Sequence, residues 1–445
     1  MTEATRVAAV AAALVLCAAQ VSAQHEHAHT QDTTTHAPMW MLRSGNGWAL
    51  MGMAQVFPTI TLAAPTEQNS PLERRGLYAT QPAMMFNIEA PGSVLVLRTT
   101  LNFEGITQPG GELTYGGWGE GFIDKRHPHT LLHEFMLSMN VLRAEGASAS
   151  LSVGKGFAPY GTDDPMSRPV LKYPTNHHLS QILERWTLNG VVATASWSVE
   201  GGLFSGNEPT GPYDLGNTED FGQSWSARVA RRFGAGVGST RAWEVSASVG
   251  SVRETHHDEA TRTMLFNAAV RHEQDHRFGR LYGLAEFSRS DPEHGDGYYA
   301  AVLEASLLNA GRLPYFRVEY ATRPEYAREG GPDTDGFFRY DHDSEPVGAT
   351  KWAIVSAGFG WNLTNLPISV RPYAEAQYHA VWRERGTIRP EVLYGRSRFW
   401  AFSTGARIFL GGEPMRMGAY GVLDPMTRMH QGSQTPTSSL ELHHH

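Results

Sequence analysis

The feature that most limits the fold of this chain is a two-faced run at residues 368–383. Ile368, Val370, Ala374, Ala376, Tyr378, Ala380 and Trp382 share one parity, while Ser369, Arg371, Tyr373, Glu375, Gln377, His379 and Arg383 share the other. Side chains alternate across a strand, so the run reads as one long β-strand with an apolar and a polar face. Strands of soluble proteins usually run for about 5 or 6 residues. A longer one, with aromatics near one end and ionisable groups along its second face, fits a wall between lipid and a lumen.

The pattern recurs. Trp243, Val245, Ala247 and Val249 oppose Glu244, Ser246 and Ser248; Tyr299, Ala301, Leu303, Ala305 and Leu307 oppose Glu304 and Ser306; Phe316, Val318 and Tyr320 oppose Arg317 and Glu319. Candidate strands fall near 48–62, 80–89, 93–103, 131–142, 147–157, 181–189, 191–204, 222–233, 241–253, 262–273, 279–289, 298–308, 313–323, 350–362, 368–383 and 397–410. The expected fold is all-β, a transmembrane antiparallel β-barrel of about 16 strands, an even number as bacterial barrels require. The 46 glycines and the aromatic content fit a β-structure of this size.

The connections alternate short and long. Pro91-Gly92, Ala144-Glu145-Gly146, Asn189-Gly190 and Asn309-Ala310-Gly311 read as tight turns, and Asn189-Gly190 is the strongest hairpin signal because type I′ turns need positive φ at both positions. Long polar segments cover 104–130, 158–180, 205–221 and 324–349. In such barrels short turns face the periplasm and long loops the exterior, which puts both termini in the periplasm.

Residues 1–23 read as a secretory signal peptide, with Arg6, an apolar stretch from Val7 to Ala19, and Val21-Ser22-Ala23 before the expected cut. Cys17, the one cysteine, lies within it, so the mature chain is expected to carry no disulfide. The leader contains Glu3 and Arg6, so its removal leaves the net charge of -8 unchanged, and no basic stripe for nucleic acid exists. Beyond the leader no stretch of about 18 apolar residues occurs, which excludes a helical span. The expected organisation is a signal peptide at 1–23, a His-rich periplasmic leader at 24–47, the barrel at 48–410, and a periplasmic tail at 411–445, with a further strand in GEPMRMGAYGVLD as an alternative. The final LELHHH resembles an affinity-tag remnant and is set aside.

Histidines supply the candidate chemistry. IDKRHPHTLLHEF, residues 123–135, places His127 and His129 at the end of the second long loop, with Glu134 and Ser138 on the lumen parity of the next strand. His177 and His178 lie in the third long loop, so two histidine pairs on neighbouring loops could converge at the outer mouth. His25, His27 and His29, with His36, form a second group in the leader, and Met415, Met417, Met426, Met429 and His430 a third in the tail. Imidazoles suit Cu(II) or Zn and thioethers Cu(I), so these are the candidate metal ligands; the plainer reading is polar loops and a mixed tail. No cofactor is required. His178-Leu179-Ser180 matches the His-x-Ser pair of outer-membrane phospholipases, but the nearest asparagine, Asn189, has the wrong parity, and no enzyme is expected.

The inferred polar faces carry Arg98, Arg185, Arg228, Arg271, Arg317, Arg371 and Arg407 with Glu286, Glu304, Glu319 and Glu375. Charges of both signs either set a transverse field across a water-filled channel or cross-link into salt bridges that close it.

DKRHPHT, the TNHH segment, FSGNEP (Phe204 to Pro209) and SWSARV (Ser224 to Val229) resemble motifs of a family of porin-like bacterial outer-membrane barrels often encountered beside heavy-metal and copper resistance functions. The resemblance covers roughly residues 100–235. It implies a barrel and metal biology but brings no catalytic residues. TGARIFL, Thr404 to Leu410, resembles the terminal insertion signal read by the barrel assembly machinery. The expected function is an outer-membrane channel for small solutes, metal ions or their complexes among them; the alternative is a non-conducting barrel that binds a ligand or partner through its long loops. Expected contacts are outer-membrane lipid, a solute and, as an open alternative, further copies of the chain in a homo-oligomer.

Overall fold

The computed structural model describes residues 40–64, 75–108, 129–144, 146–170, 172–209, 211–234, 240–256, 259–325, 348–363, 368–387, 389–410 and 417–421. The strands are β1 (Trp40–Arg43), β2 (Ala49–Ala64), β3 (Arg75–Glu89), β4 (Leu95–Asn102), β5 (Leu132–Ala144), β6 (Ala147–Gly156), β7 (Arg185–Thr194), β8 (Trp197–Phe204) and β9 (Ser224–Phe233). They continue with β10 (Arg241–His256), β11 (Glu259–His276), β12 (Gly279–Pro292), β13 (Tyr298–Leu308), β14 (Arg312–Glu325), β15 (Gly348–Trp361), β16 (Ser369–Gly386) and β17 (Arg398–Leu410).

Strands β2 to β17 pair antiparallel in chain order, and β17 closes on β2 with Thr404 opposite Ile60 and Leu410 opposite Ala54. The result is a closed sixteen-strand barrel. β1 lies within the segment expected to be leader; it extends the seam below the end of β17, pairing Trp40 with Gly52 and Arg43 with Ala49. Closure satisfies every edge, which is what a β-structure in hydrocarbon requires. Among the described residues no helix is long and apolar enough to cross a membrane.

The wall follows the period of two. In β9 every second residue from Ser224 is buried, with Trp225, Ala227, Val229 and Arg231 exposed between them. Outward Phe266, Phe287, Leu303, Val318, Val355 and Phe402 form the apolar belt. Trp197, Phe233, Trp243 and Trp361 mark its periplasmic rim, and Trp225, Tyr320, Trp382 and Trp400 the opposite rim. Arg231 lies over the Trp197 ring at 5.0 Å, its aliphatic stem along the belt and its charge at the interface. An apolar belt between aromatic girdles around a polar interior is the architecture of an outer-membrane barrel.

Two details differ from the sequence reading. Asn189-Gly190 is not a turn: it lies inside β7, with Gly190 opposite both Leu151 and Gly201, and the chain reverses at residues 195–196. Asn189 points inward and donates to the Phe157 carbonyl at 2.8 Å, a tertiary contact that outweighs the local turn propensity. The exterior loops are also not uniformly long, because β10 and β11 run on to His256 and Glu259, leaving a two-residue tip.

Candidate functional site in the barrel lumen

The connection between β6 and β7, residues 157–184, does not stay outside. It runs down the lumen and back, and the inward residues of the wall grip its backbone. Near the periplasmic ends of the strands, Arg407 donates to the carbonyls of Arg168 and Met166, each at 3.0 Å. Higher up, Arg317 donates to the Lys172 carbonyl at 2.7 Å, and Glu319 accepts from the Thr175 amide at 2.6 Å. Glu286 accepts from Thr162 at 2.7 Å and from Asn176 at 2.9 Å, and Arg228 donates to the Gly161 carbonyl at 3.2 Å. Arg271 pairs with Asp163. Gly161 has φ +66°, and a Cβ there would collide with the Ser180 carbonyl, so only glycine lets the two limbs of the loop lie together.

All eleven charged residues assigned to the lumen by parity point inward. Six of them grip the loop as just described; Glu304 pairs with Arg317 directly across β13 and β14, and their Oε2 and Nη2 atoms are 2.8 Å apart. Glu375 accepts from the Tyr315 hydroxyl at 3.0 Å, and Arg371 donates to Asn362 at 2.7 Å. Arg185 joins Glu208 and Glu254, both at 3.1 Å. Arg98 meets the C-terminal segment, treated below. Burial decides between the two readings of a mixed-charge lumen: Glu304, Arg317 and Glu319 are 0%, 1% and 2% exposed. These charges are cross-linked through the loop rather than arrayed along open water.

Above this network the histidines converge. Helix α1 (Glu104–Thr107), in the β4–β5 connection, presents Glu104, whose carboxylate meets the His129 Nδ1 at 2.6 Å and accepts from Tyr173 at 2.7 Å. His133 enters by a different device. Strict alternation along β5 would point it at lipid beside Phe135, but a β-bulge opposite Thr100 and Leu101 turns both His133 and Glu134 inward. The His133 Nδ1 then lies 2.8 Å from Glu184, which also accepts from the amide and hydroxyl of Thr130 at 2.7 and 2.8 Å. Glu184 holds φ at +60°, a strained conformation for a residue with a Cβ, fixed here by these three contacts.

Helix α2 (His177–Ser180) completes the cluster, its His177 ring 5.2 Å from His129 and 5.1 Å from His178. Burial pushes the His177 ring well below its ordinary pKa, and His178, His129 and Arg168 add to this, so it is neutral. For Glu104 burial works upward, but His129 and Tyr173 outweigh it and hold the carboxyl below the ordinary value; for Glu184 burial is likewise outweighed, by His133, His129 and Lys155. Both carboxylates are ionised and tie the two loops together.

Of the two expected pairs, His129 lies with His177 and His178, together with Glu104, His133, Tyr173 and Glu184, while His127 lies outside the described residues. The rings meet largely face to face: His129 and His178 are 9° from parallel, and His177 and His178 24°. Ring lone pairs lie in the ring plane, so stacked imidazoles do not aim at a common point. Among the described residues no three His, Asp or Glu side chains form a group that could hold a metal ion. His127, His25, His27, His29 and His36 lie outside the described residues, as do Met415, Met426, Met429 and His430. The His-x-Ser pair sits in α2 rather than on a strand, and the Ser180 hydroxyl donates to the His177 carbonyl at 3.1 Å.

Cavities between loop and wall among the described residues include a larger and a smaller one. The larger, about 80 Å³, lies at the periplasmic end, lined by Arg168, Arg280, Arg371, Arg407, Tyr282 and Ser306 among others, with no carboxylate in its lining. The smaller, about 10 Å³, lies beside Asp163, Glu244 and Arg271.

No protein-family model matches the chain, and no curated protein matches it in sequence. Solved structures with a similar fold include an anion-selective porin from Comamonas acidovorans, at 10% identity and TM-score 0.47, covering 82% of this chain and 99% of that one. Outer-membrane expressed OmpT of Vibrio cholerae is similar at 11% identity and TM-score 0.46, covering 83% and 100%. OmpF of Salmonella typhi, solved with daunomycin, is similar at 10% identity and TM-score 0.46, again covering 83% and 100%.

Proposed function

We propose that the protein is an outer-membrane channel for small anionic solutes, held closed by its own loop 157–184. The observation that carries this reading is the chemistry of the loop–wall interface. It is made of charged and polar side chains bonded to loop backbone, as in Arg407 to Arg168 and Met166, Arg317 to Lys172, and Thr175 to Glu319. A permanent plug is more stable with an apolar interface, since replacing buried ion pairs by apolar groups of similar volume often stabilises a protein by about 1–4 kcal/mol. A plug that must leave gains from polar contacts. Each group exchanges a protein partner for water, and a typical hydrogen bond contributes only about 0.5–1.5 kcal/mol net.

The solute class follows from the arginine-lined cavity at the periplasmic end. Four guanidinium groups line one space; Arg168 is paired with Glu286 and Glu304 and Arg280 with Asp275, so it is chiefly Arg371 and Arg407 that favour an anion over a bare metal cation there. The second reading, a non-conducting barrel that binds a ligand through its loops, is favoured by the near-complete burial of the wall charges.

Liposome swelling separates the two readings. A barrel with residues 159–181 replaced by a short Gly-Ser link and residues 417–445 removed is expected to admit small anions faster than cations of equal size. A heat-modifiable, correctly folded barrel without the loop that admits neither would favour the binding reading.

A further inference from the structure

The segment that follows β17 was expected to hang in the periplasm. Its described part, Met417–Gly421, instead lies inside the barrel on the periplasmic side of loop 157–184. Its backbone is held at successive carbonyls: Met417 accepts from the Asp164 amide at 3.3 Å, Gly418 from Arg228 at 2.9 Å, and Ala419 from Arg98 at 3.0 Å. Arg228 grips the loop through the Gly161 carbonyl with its other terminal nitrogen and pairs with Glu200 directly opposite, so one guanidinium joins wall, loop and tail.

The side chains are seated as well. Met417 and Tyr420 are buried with Met53, Met85, Met136, Phe157, Met166 and Tyr173. The Tyr420 hydroxyl accepts from the Phe157 amide at 3.1 Å, and its ring lies under Arg98. The wall makes room for it, because a Cβ on Gly156 would collide with that hydroxyl. Gly418 and Gly421 have φ of +96° and +68°, and a Cβ on Gly421 would strike Ser150. The pattern M-G-A-Y-G thus fits this surface at every position: two apolar anchors, two left-handed glycines, and carbonyls turned to arginines.

We propose that the periplasmic half of the lumen is a peptide-binding site whose resident ligand is the chain's own Met417–Gly421 segment, and that this segment must leave before the barrel conducts. The proposal rests on the channel reading above. The ligand class is an extended peptide that offers consecutive carbonyls to Arg98 and Arg228 and a phenol to the Gly156 niche.

The test uses the full chain and a chain without residues 417–445, each refolded into planar bilayers for conductance and into bilayer vesicles for hydrogen exchange. If the segment is docked, the Phe157 and Asp164 amides, bonded to the Tyr420 hydroxyl and the Met417 carbonyl, exchange slowly in the full chain and faster without residues 417–445, which mass spectrometry reads independently of conductance. The full-length barrel is expected to stay shut for most of the record. Removal of residues 417–445 is expected to raise the open probability about tenfold or more, the factor that corresponds to about 1.4 kcal/mol. A synthetic peptide of residues 415–423, added on the periplasmic side, should shut the truncated barrel again, and the same peptide with Tyr420→Ala should not. Equal exchange at both amides in the two chains, or equal open probability, overturns the proposal while leaving the channel reading intact. Protection of both amides by the segment together with silence from a barrel lacking both residues 159–181 and 417–445 overturns the channel reading, and the gating role with it.

Discussion

Replacing Arg317 by alanine probes the grip of the wall on loop 157–184 most sharply. The guanidinium is fully enclosed, paired with Glu304 at 2.8 Å and bonded to the Lys172 carbonyl at 2.7 Å. Its removal leaves Glu304 buried with the Tyr282 hydroxyl at 2.8 Å and a more distant Arg168 at 3.7 Å. Breaking a buried pair by deleting one partner costs roughly 3–5 kcal/mol, and the residual Arg168 places this case near the lower end. The cost falls on the docked state alone, because an undocked loop lets water reach Glu304. A change of about 3 kcal/mol corresponds to roughly a hundredfold shift in the docking equilibrium. Hydrogen exchange at the Thr175 amide, bonded to Glu319 when the loop is docked, should accelerate by about that factor. The double variant Arg317→Met, Glu304→Met removes both charges and should recover most of the protection. The reasoning fails if the single variant, with its heat-modifiable mobility intact, exchanges like the parent, or if the double variant exchanges as fast as the single.

Other variants extend the test. His133→Ala removes one of three partners of Glu184 and is expected to weaken the junction of the two loops by about 1.5–3 kcal/mol, read as faster exchange at the Thr130 amide. Phe287→Arg places a charge in the lipid-facing belt and should destabilise the barrel by about 2–4 kcal/mol in denaturant unfolding from bilayers. Asn189→Leu, inside β7 rather than at a turn, should leave the strand register unchanged while accelerating exchange at the loop entrance; loss of the whole β7–β8 pairing would restore the hairpin reading.

The wall was legible in the sequence because a period of two holds between bulges, and residues as far apart as Arg98 and Arg407 could be assigned to the lumen from parity alone. His133 was not, since the extra residue that turns it inward at Thr100/Leu101 leaves no compositional mark. Asn189-Gly190 misled for the opposite reason. It carries a strong local turn signal, yet its strand is fixed by pairing on both sides, and the real turn at 195–196 has no glycine. The inward path of residues 157–184 was hidden because polar loops suit bulk water and a charged lumen equally. Met417–Gly421 was hidden because its binding partners, Arg98, Phe157 and Arg228, lie hundreds of residues away.

Single-channel conductance of the intact barrel, compared with one lacking both residues 159–181 and 417–445, tests most directly whether the chain closes its own pore. The intact protein should be shut for most of the record, and the doubly deleted barrel should show stable, anion-selective open steps. Steps of equal size and frequency in both, or none in a folded, doubly deleted barrel, would contradict it.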